Sequence, residues 1–204
     1  MMQYSHSIHS SRLEPLKPLT KKHKEIISTL EKMLEKGIPE LTMSELAAKL
    51  KISLRTLYEI APSKDQLIIM TVDNILKKLG KSALERVSKI ESPIDKLDTY
   101  LGIVNQAVGP KFDAYIKGLG KINGSSEMID YHEDFITKYT EKLLLEAMSA
   151  NEIQKIDPKA FAILLGGIGR EFAKSKNRSS INESPEMSAN SVTKVILKGI
   201  RLEN

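Results

Sequence analysis

Apolar residues recur three and four positions apart through most of the chain, a spacing that predicts helices rather than strands. The first such run extends from Lys21 to Leu34, and Gly37 follows it as a residue suited to a helix end. Further helices are indicated at about 64–88, 92–108, 112–119, 126–150, 158–174 and 189–202. The pattern therefore predicts an all-α protein.

Two short helices stand between the first run and the long run that starts near residue 64. Thr42 and Glu45 have the spacing of a capping box, which predicts that a helix begins after Thr42. Ser53 can cap the next helix, over residues 54–60, and Pro62 stops it. Two short helices joined by a three-residue turn are typical of a helix-turn-helix.

The second helix of such a unit lies in the major groove and contacts base edges with its N-terminal residues. Ser53, Arg55 and Thr56 occupy that turn, so we expect them to point at DNA, while Leu57 points inward.

Tyr58 and Lys64 flank this turn at positions suited to phosphate contacts. Lys64 lies in the first turn of the following helix, where free backbone N–H groups favour an anion. The spacing alone is equally compatible with a capped surface helix that binds nothing.

The charge is unevenly distributed along the 204 residues, whose formal net charge is +5. Residues 1–90 hold 16 Lys and Arg against 10 Asp and Glu, whereas residues 91–204 hold 15 against 16. This asymmetry indicates that the N-terminal part meets a polyanion, although a merely basic surface would have the same composition.

The absence of Cys excludes disulfides, thiolate metal sites and cysteine nucleophiles, and it fits a reducing cytoplasm. No apolar run approaches the length of about 18 residues that spans a membrane. The first twenty residues lack the apolar segment of a secretory signal, so we expect a flexible polar tail over residues 1–20.

The segment "EKGIPELTMSELAAKLKISLRTLYEIAPSKDQL" resembles the DNA-binding domain of the tetracycline-repressor (TetR-type) family of bacterial transcription regulators. The resemblance covers about a fifth of the chain. The matching positions are Gly37, Thr42, Leu46-Ala47, Ser53, Thr56-Leu57-Tyr58, Ser63-Lys64 and Leu67.

The resemblance implies a three-helix DNA-binding domain at 21–66, linked by a long fourth helix to a larger helical domain at 67–204 for effector binding and dimerisation. We expect no cofactor and no metal, and the resemblance implies homodimer contacts through the last two helices. The apolar residues expected to pair across the dimer are Ile163, Leu164, Gly167 and Ile168 on the first helix and Val192, Val195, Ile196, Gly199 and Ile200 on the second. The partners would be double-stranded operator DNA and a small, apolar effector. The implied DNA-binding residues are Thr42, Ser53, Leu54, Arg55, Thr56, Tyr58 and Lys64.

The chain departs from the family pattern in and after the turn. Lys51 stands where the family has Gly, which predicts either a strained left-handed lysine or a turn of different shape. Glu59 would repel a phosphate unless it reads a cytosine amino group. Ala61 replaces a Phe that would pack in the core of the small domain.

Aromatic residues gather in the middle of the chain, at Tyr100, Tyr115, Tyr131 and Phe135 among others. Core packing accounts for any one of them. Since the resemblance implies an effector pocket in this domain, the same four residues are also candidates for its lining.

The sequence contains no constellation that points to catalysis. The glycines of "LLGGIGR" lack the lysine and preceding strand of a phosphate loop, so we expect them to permit close helix packing. His6, His9, His23 and His132 have no partner at metal-ligand spacing.

Two functions remain open at this point. The first is a ligand-responsive, dimeric DNA-binding regulator, a repressor, that binds a palindromic operator and is released by its effector. The second is a helical small-molecule-binding protein or enzyme whose helix-turn-helix has lost contact with DNA, as Lys51 and Glu59 could indicate.

Overall fold

The computed structural model describes residues 18–37, 39–112 and 118–202. Within these ranges the chain is helical, with one isolated antiparallel bridge between Ile153 and Arg201, so the all-α prediction is confirmed. Two 3₁₀ helices are described, Asn105–Val108 and Pro110–Phe112. The α-helices are α1 (Lys21–Leu34), α2 (Met43–Lys49), α3 (Leu54–Ile60), α4 (Lys64–Val87), α5 (Pro93–Val104), α6 (Ser125–Ser149), α7 (Pro158–Ala173), α8 (Ser175–Arg178) and α9 (Pro185–Ile200).

The chain forms two compact units, and two of the three boundaries between them fall inside α4 and α6. The N-terminal unit comprises Met1–Leu76 with Asp113–Tyr131, and the C-terminal unit comprises Lys77–Phe112 with His132–Asn204. Each unit has its own apolar core.

The core of the N-terminal unit joins α1, α2, α3 and the start of α4. The N-caps predicted at Thr42 and Ser53 are confirmed, and Ser63 accepts a hydrogen bond from the backbone N–H of Gln66 at 3.1 Å. Ala61, which stands in place of the family's Phe, is itself completely buried. The side chains buried in this core are Ile26, Ile27, Leu30, Met43, Leu46, Ala47, Leu57, Ile60, Ala61, Leu67 and Met70.

The turn between α2 and α3 contains a left-handed lysine. The φ of Lys51 is 56°, so the first of the two alternatives for this turn is the correct one. The N–H of Ile52 donates to the carbonyl of Ala47 at 3.0 Å, and the N–H of Lys51 donates to that of Ala48 at 3.1 Å. These two bonds form a Schellman motif, in which the left-handed position is usually a glycine.

The C-terminus of α6 ends in the same way. Asn151 has a φ of 55°, and the N–H of Glu152 donates to the carbonyl of Ala147 at 2.9 Å. Asparagine tolerates this backbone conformation better than lysine because its short polar side chain can hydrogen-bond locally. The strain is therefore greater at Lys51 than at Asn151.

The C-terminal unit packs α5, α6, α7 and α9 around a second core. A Cβ at Gly166 would lie 2.6 Å from the Thr137 hydroxyl oxygen and 3.3 Å from the Thr137 Cα, so α7 approaches the α6 backbone closely. A Cβ at Gly169 would lie 3.1 Å from the Asn105 side-chain oxygen. The close helix packing expected from the glycine cluster is thus confirmed.

The predicted start of the last helix was wrong. We expected it near Ala189, but α9 begins at Pro185, and Ser184 caps it by accepting a hydrogen bond from the N–H of Met187 at 3.2 Å. Ser-Pro is the same start signal as Ser92-Pro93 at α5, and the polar composition of the preceding loop concealed it. That loop also contains the short helix α8.

Two predicted segments cannot be compared with the structure. Residues 1–17 of the tail lie outside the described residues, and so do residues 113–117 of the helix expected at 112–119. Of the helices in the described part of the chain, none is long and apolar enough to cross a membrane.

We expect Lys51→Gly to raise the free energy of unfolding by about 1 kcal/mol, because glycine adopts the left-handed conformation without a Cβ clash. Denaturant unfolding of the two proteins measures the difference. Lys49→Gly, at an exposed position in the last turn of α2, is the matched control and should lower stability by about 1 kcal/mol. A loss of stability in Lys51→Gly would show that the lysine side chain contributes more than its backbone strain costs.

Candidate nucleic-acid interface

The position of α3 is fixed by its buried side. Leu57 and Ile60 have no exposed surface, and both belong to the core of the N-terminal unit. With 3.6 residues per turn, burial of these two side chains turns the opposite side of the helix towards solvent.

The outward side of α3 presents two large side chains and one long cation. Leu54 and Tyr58 are among the exposed large hydrophobic residues, and the Arg55 side chain is 90% exposed. An arginine can donate two parallel hydrogen bonds to guanine, and an apolar side chain can contact the thymine methyl group. These are the chemical means of reading bases in a major groove.

Ser53 and Thr56 contact each other at the start of α3. The Ser53 hydroxyl accepts from the N–H of Thr56 at 3.1 Å, and the two hydroxyl oxygens lie 2.8 Å apart. In the free protein these two residues therefore form the N-cap of α3. Each hydroxyl retains further hydrogen-bonding capacity, so an additional contact to DNA is compatible with the cap.

Thr42 has the corresponding position at α2. Its hydroxyl accepts from the N–H of Glu45 at 3.2 Å, while the Glu45 carboxylate accepts from the Thr42 N–H at 2.7 Å. The Thr42 backbone N–H, its hydroxyl and the charge of Lys64 hold the pKa of Glu45 below its usual value. Lys64, whose charge contributes to this lowering, is the first residue of α4.

Glu59 contacts two basic side chains, one on its own helix and one on α1. One carboxylate oxygen lies 3.3 Å from the Arg55 Nε, which donates to it, and the other lies 3.6 Å from the Nε2 of His23 on α1. The four-residue spacing of Arg55 and Glu59 was visible in the sequence. The approach of His23 was not visible in the sequence, because it depends on how α1 packs.

Aromatic side chains in the C-terminal unit form one group. The Tyr100 and Tyr139 ring centroids lie 4.6 Å apart, and the Phe135 and Tyr139 rings are stacked at 6.5 Å. Two of the four predicted pocket residues, Tyr100 and Phe135, are thus joined through Tyr139. Burial raises the pKa of Tyr139, and the Glu146 carboxylate raises it further.

The other two candidates are Tyr131 and Tyr115. Tyr131 is half-buried and belongs to the N-terminal unit, and Tyr115 lies outside the described residues. Tyr100 is completely buried, a position that suits core packing as well as a pocket wall.

The last two long helices present an apolar surface to solvent. Ile163 and Leu164 on α7 and Val192 and Val195 on α9 are exposed, and Val195 is the most exposed of them at 72%. We expected Ile168 and Ile200 to belong to the same surface, but both are buried. Their backbone positions turn them towards the core of the C-terminal unit.

No group of three or more metal-binding side chains occurs among the residues that the structure describes.

The four exposed residues Ile163, Leu164, Val192 and Val195 are called the α7–α9 surface below. The outward residues Leu54, Arg55 and Tyr58, with Thr42, Ser53, Thr56 and Lys64, are called the α3 surface.

No family model matches this sequence, and no curated protein matches it. Solved structures do match its fold. The transcriptional regulator FadR from Bacillus subtilis, in complex with stearoyl-CoA, is 15% identical, with a TM-score of 0.67 over 88% of this chain and 100% of that chain. A TetR-family transcriptional regulator from Pectobacterium atrosepticum is 15% identical, with a TM-score of 0.66 over 91% of this chain and 99% of that chain.

A third matching structure contains both a coenzyme A thioester and operator DNA. AibR, in complex with isovaleryl coenzyme A and operator DNA, is 19% identical, with a TM-score of 0.57 over 86% of this chain and 97% of that chain. At these identities the comparisons establish the fold. This chain has the fold of the TetR-family regulators, as the sequence resemblance predicted.

We expect Lys64→Ala to lower the slope of log affinity against log salt by about one unit, because one phosphate contact is lost. Tyr58→Phe should weaken binding to all DNA sequences alike. Titrations of DNA at several salt concentrations measure both effects. Lys159→Ala, an exposed lysine in the C-terminal unit, removes the same charge and should leave the slope unchanged. An unchanged slope in Lys64→Ala would show that Lys64 does not contact a phosphate.

Proposed function

We propose that this chain, with the fold of the TetR-family regulators, is a ligand-responsive transcription regulator that acts as a repressor. It binds a palindromic operator as a homodimer through the α3 surface, and a small effector in the C-terminal unit releases it. The observation that carries the proposal is the arrangement of α3, whose buried Leu57 and Ile60 leave Leu54, Arg55 and Tyr58 exposed.

The α7–α9 surface supports the dimer. Isolated apolar side chains are common on protein surfaces, but here four of them lie on two helices that contact each other, and association would bury them. Symmetric dimers are the commonest oligomers, and a two-fold axis pairs the same patch on both subunits. Such a dimer would hold its recognition helices about one DNA turn apart, roughly 34–36 Å, or a small multiple of that distance.

The mechanism we propose is a shift of population. The operator selects the dimer geometry in which both α3 helices fit successive major grooves, and the effector selects another geometry. The two ligands then oppose each other through the single equilibrium between these geometries.

The aromatic group of Tyr100, Phe135 and Tyr139 supports an apolar effector. Aromatic rings supply apolar surface, and tyrosine adds one polar tip that can orient a ligand. The structures of FadR with stearoyl-CoA and AibR with isovaleryl coenzyme A make acyl-CoA thioesters, short and long, the first compounds to test.

The alternative is a helical small-molecule-binding protein or enzyme that no longer contacts DNA. Glu59, a carboxylate on the recognition helix, is the observation that favours it. The contact of Glu59 with Arg55 weakens this case, because the guanidinium offsets the charge of the carboxylate within the protein.

The test of the proposal is binding of the full chain to the DNA upstream of its own gene. We expect protection of a palindromic site, affinity that falls steeply with salt, and release by at least one acyl-CoA in a series of increasing chain length. Salt-independent or absent binding to promoter DNA would favour the alternative. Binding without release by any acyl-CoA would retain the regulator and reject this effector class.

We expect Val195→Glu to weaken dimerisation at least 10-fold, because it places two uncompensated carboxylates in the proposed interface. Operator affinity should fall with it, while helix content stays unchanged because Val195 is exposed in the single chain. Sedimentation and operator titration measure the two effects. Ser82→Glu adds the same charge at an exposed position on α4 and should change neither. A parent protein that sediments as a monomer at micromolar concentration would contradict the dimer.

A further inference from the structure

The carboxylate of Glu59 lies between two basic side chains, and each of its oxygens has a different partner. Arg55 approaches one oxygen from four residues earlier on α3, and His23 approaches the other from the first turn of α1. The three residues form a row that leads from α1 to the exposed side of α3.

The Arg55–Glu59 pair alone would be weak. Exposed pairs at this spacing contribute little, and the acidic residue stands C-terminal to the basic one, which is the less favourable order on a helix. His23 changes this situation because its side chain is only 12% exposed. Its contact limits the conformations that the Glu59 side chain can adopt, so the carboxylate can act as a fixed acceptor.

The atom that Arg55 uses for this contact decides what remains for DNA. Its Nε donates to Glu59, and a guanidinium has four further N–H groups on its two terminal nitrogens. With the side chain otherwise exposed, those nitrogens are available to the O6 and N7 acceptors of a guanine. An arginine already held in this orientation loses less conformational freedom on binding than an unrestrained one.

We propose that Glu59 is a positioning residue for base recognition, which orients Arg55 towards one guanine in each half-site and is itself anchored by His23. This inference rests on the proposed DNA-binding function. It differs from two simpler accounts of Glu59, in which the carboxylate only repels phosphate or itself reads a cytosine. Both oxygens already have partners within the protein, which neither account requires.

The experiment measures affinity of the full chain for its operator and for operators changed at each base pair in turn, with random DNA as the reference. We expect the parent to discriminate at one guanine position by roughly 5-fold to 150-fold, and Arg55→Ala to abolish this preference. Glu59→Gln should reduce the preference at the same position by roughly 2-fold to 10-fold, without weakening binding to random DNA.

A double substitution separates the three accounts. If Glu59 acts through Arg55, adding Glu59→Gln to Arg55→Ala should cause no further loss of preference. A loss at a second base pair, undiminished in the double variant, would instead mean that Glu59 reads a base. A uniform gain in affinity with all preferences intact would mean that Glu59 only repels phosphate. Either result would overturn the proposal.

Two further variants complete the design. His23→Gln removes the anchor from another helix and should reduce the same preference by a smaller factor, which gives a second test if Glu59→Gln folds poorly. Glu35→Gln makes the same change of charge at an exposed position after α1 and should leave the preference intact. A parent that binds no DNA would overturn the proposed function itself, and the inference would fall with it.

Discussion

The candidate interface depends on the burial of one side of a seven-residue helix. A helix as short as α3 is not stable alone in water, because too few hydrogen bonds offset the cost of its first turn. It forms here because Leu57 and Ile60 are completely buried, and such side chains contribute about 1.5–3 kcal/mol each. The geometry of the helix then decides which residues face outward.

The turn before α3 has a strained residue, Lys51, at one end and the helix cap, Ser53, at the other. The Schellman bonds after α2 require a left-handed residue, and Lys51 adopts that conformation at a cost of about 1 kcal/mol. Ile52, next along the chain, packs against the core, and Ser53 caps α3 directly afterwards. The packing of Ile52 and the cap at Ser53 offset the cost at Lys51, so the turn keeps its shape without glycine.

Local signals in the sequence were sufficient for much of this structure. The capping pairs at Thr42 and Ser53 act over three or four residues, so the start of each short helix could be predicted. The same kind of signal at Ser184 was missed because the polar loop around it resembled a longer break.

The contacts and burial that could not be predicted from the sequence involve residues distant from each other in the chain. Nothing local places His23 beside Glu59, since their approach follows from how α1 and α3 share a core. The burial of Ile168 and Ile200 has the same cause. Small rotations of α7 and α9 decide whether an apolar residue faces the core or solvent, and hydrophobicity alone does not determine them.

The closeness of α7 to α6 constrains how this protein can change over evolutionary time. No side chain fits at Gly166 unless Thr137 moves, and Thr137 cannot move far because its backbone belongs to α6. Position 166 can therefore gain a side chain only if position 137 also changes, whereas the packing of the single chain sets no such limit on the exposed Ile163 and Leu164. One helix thus combines a nearly fixed inner side with an outer side on which new partner specificity could arise between duplicated copies of the gene.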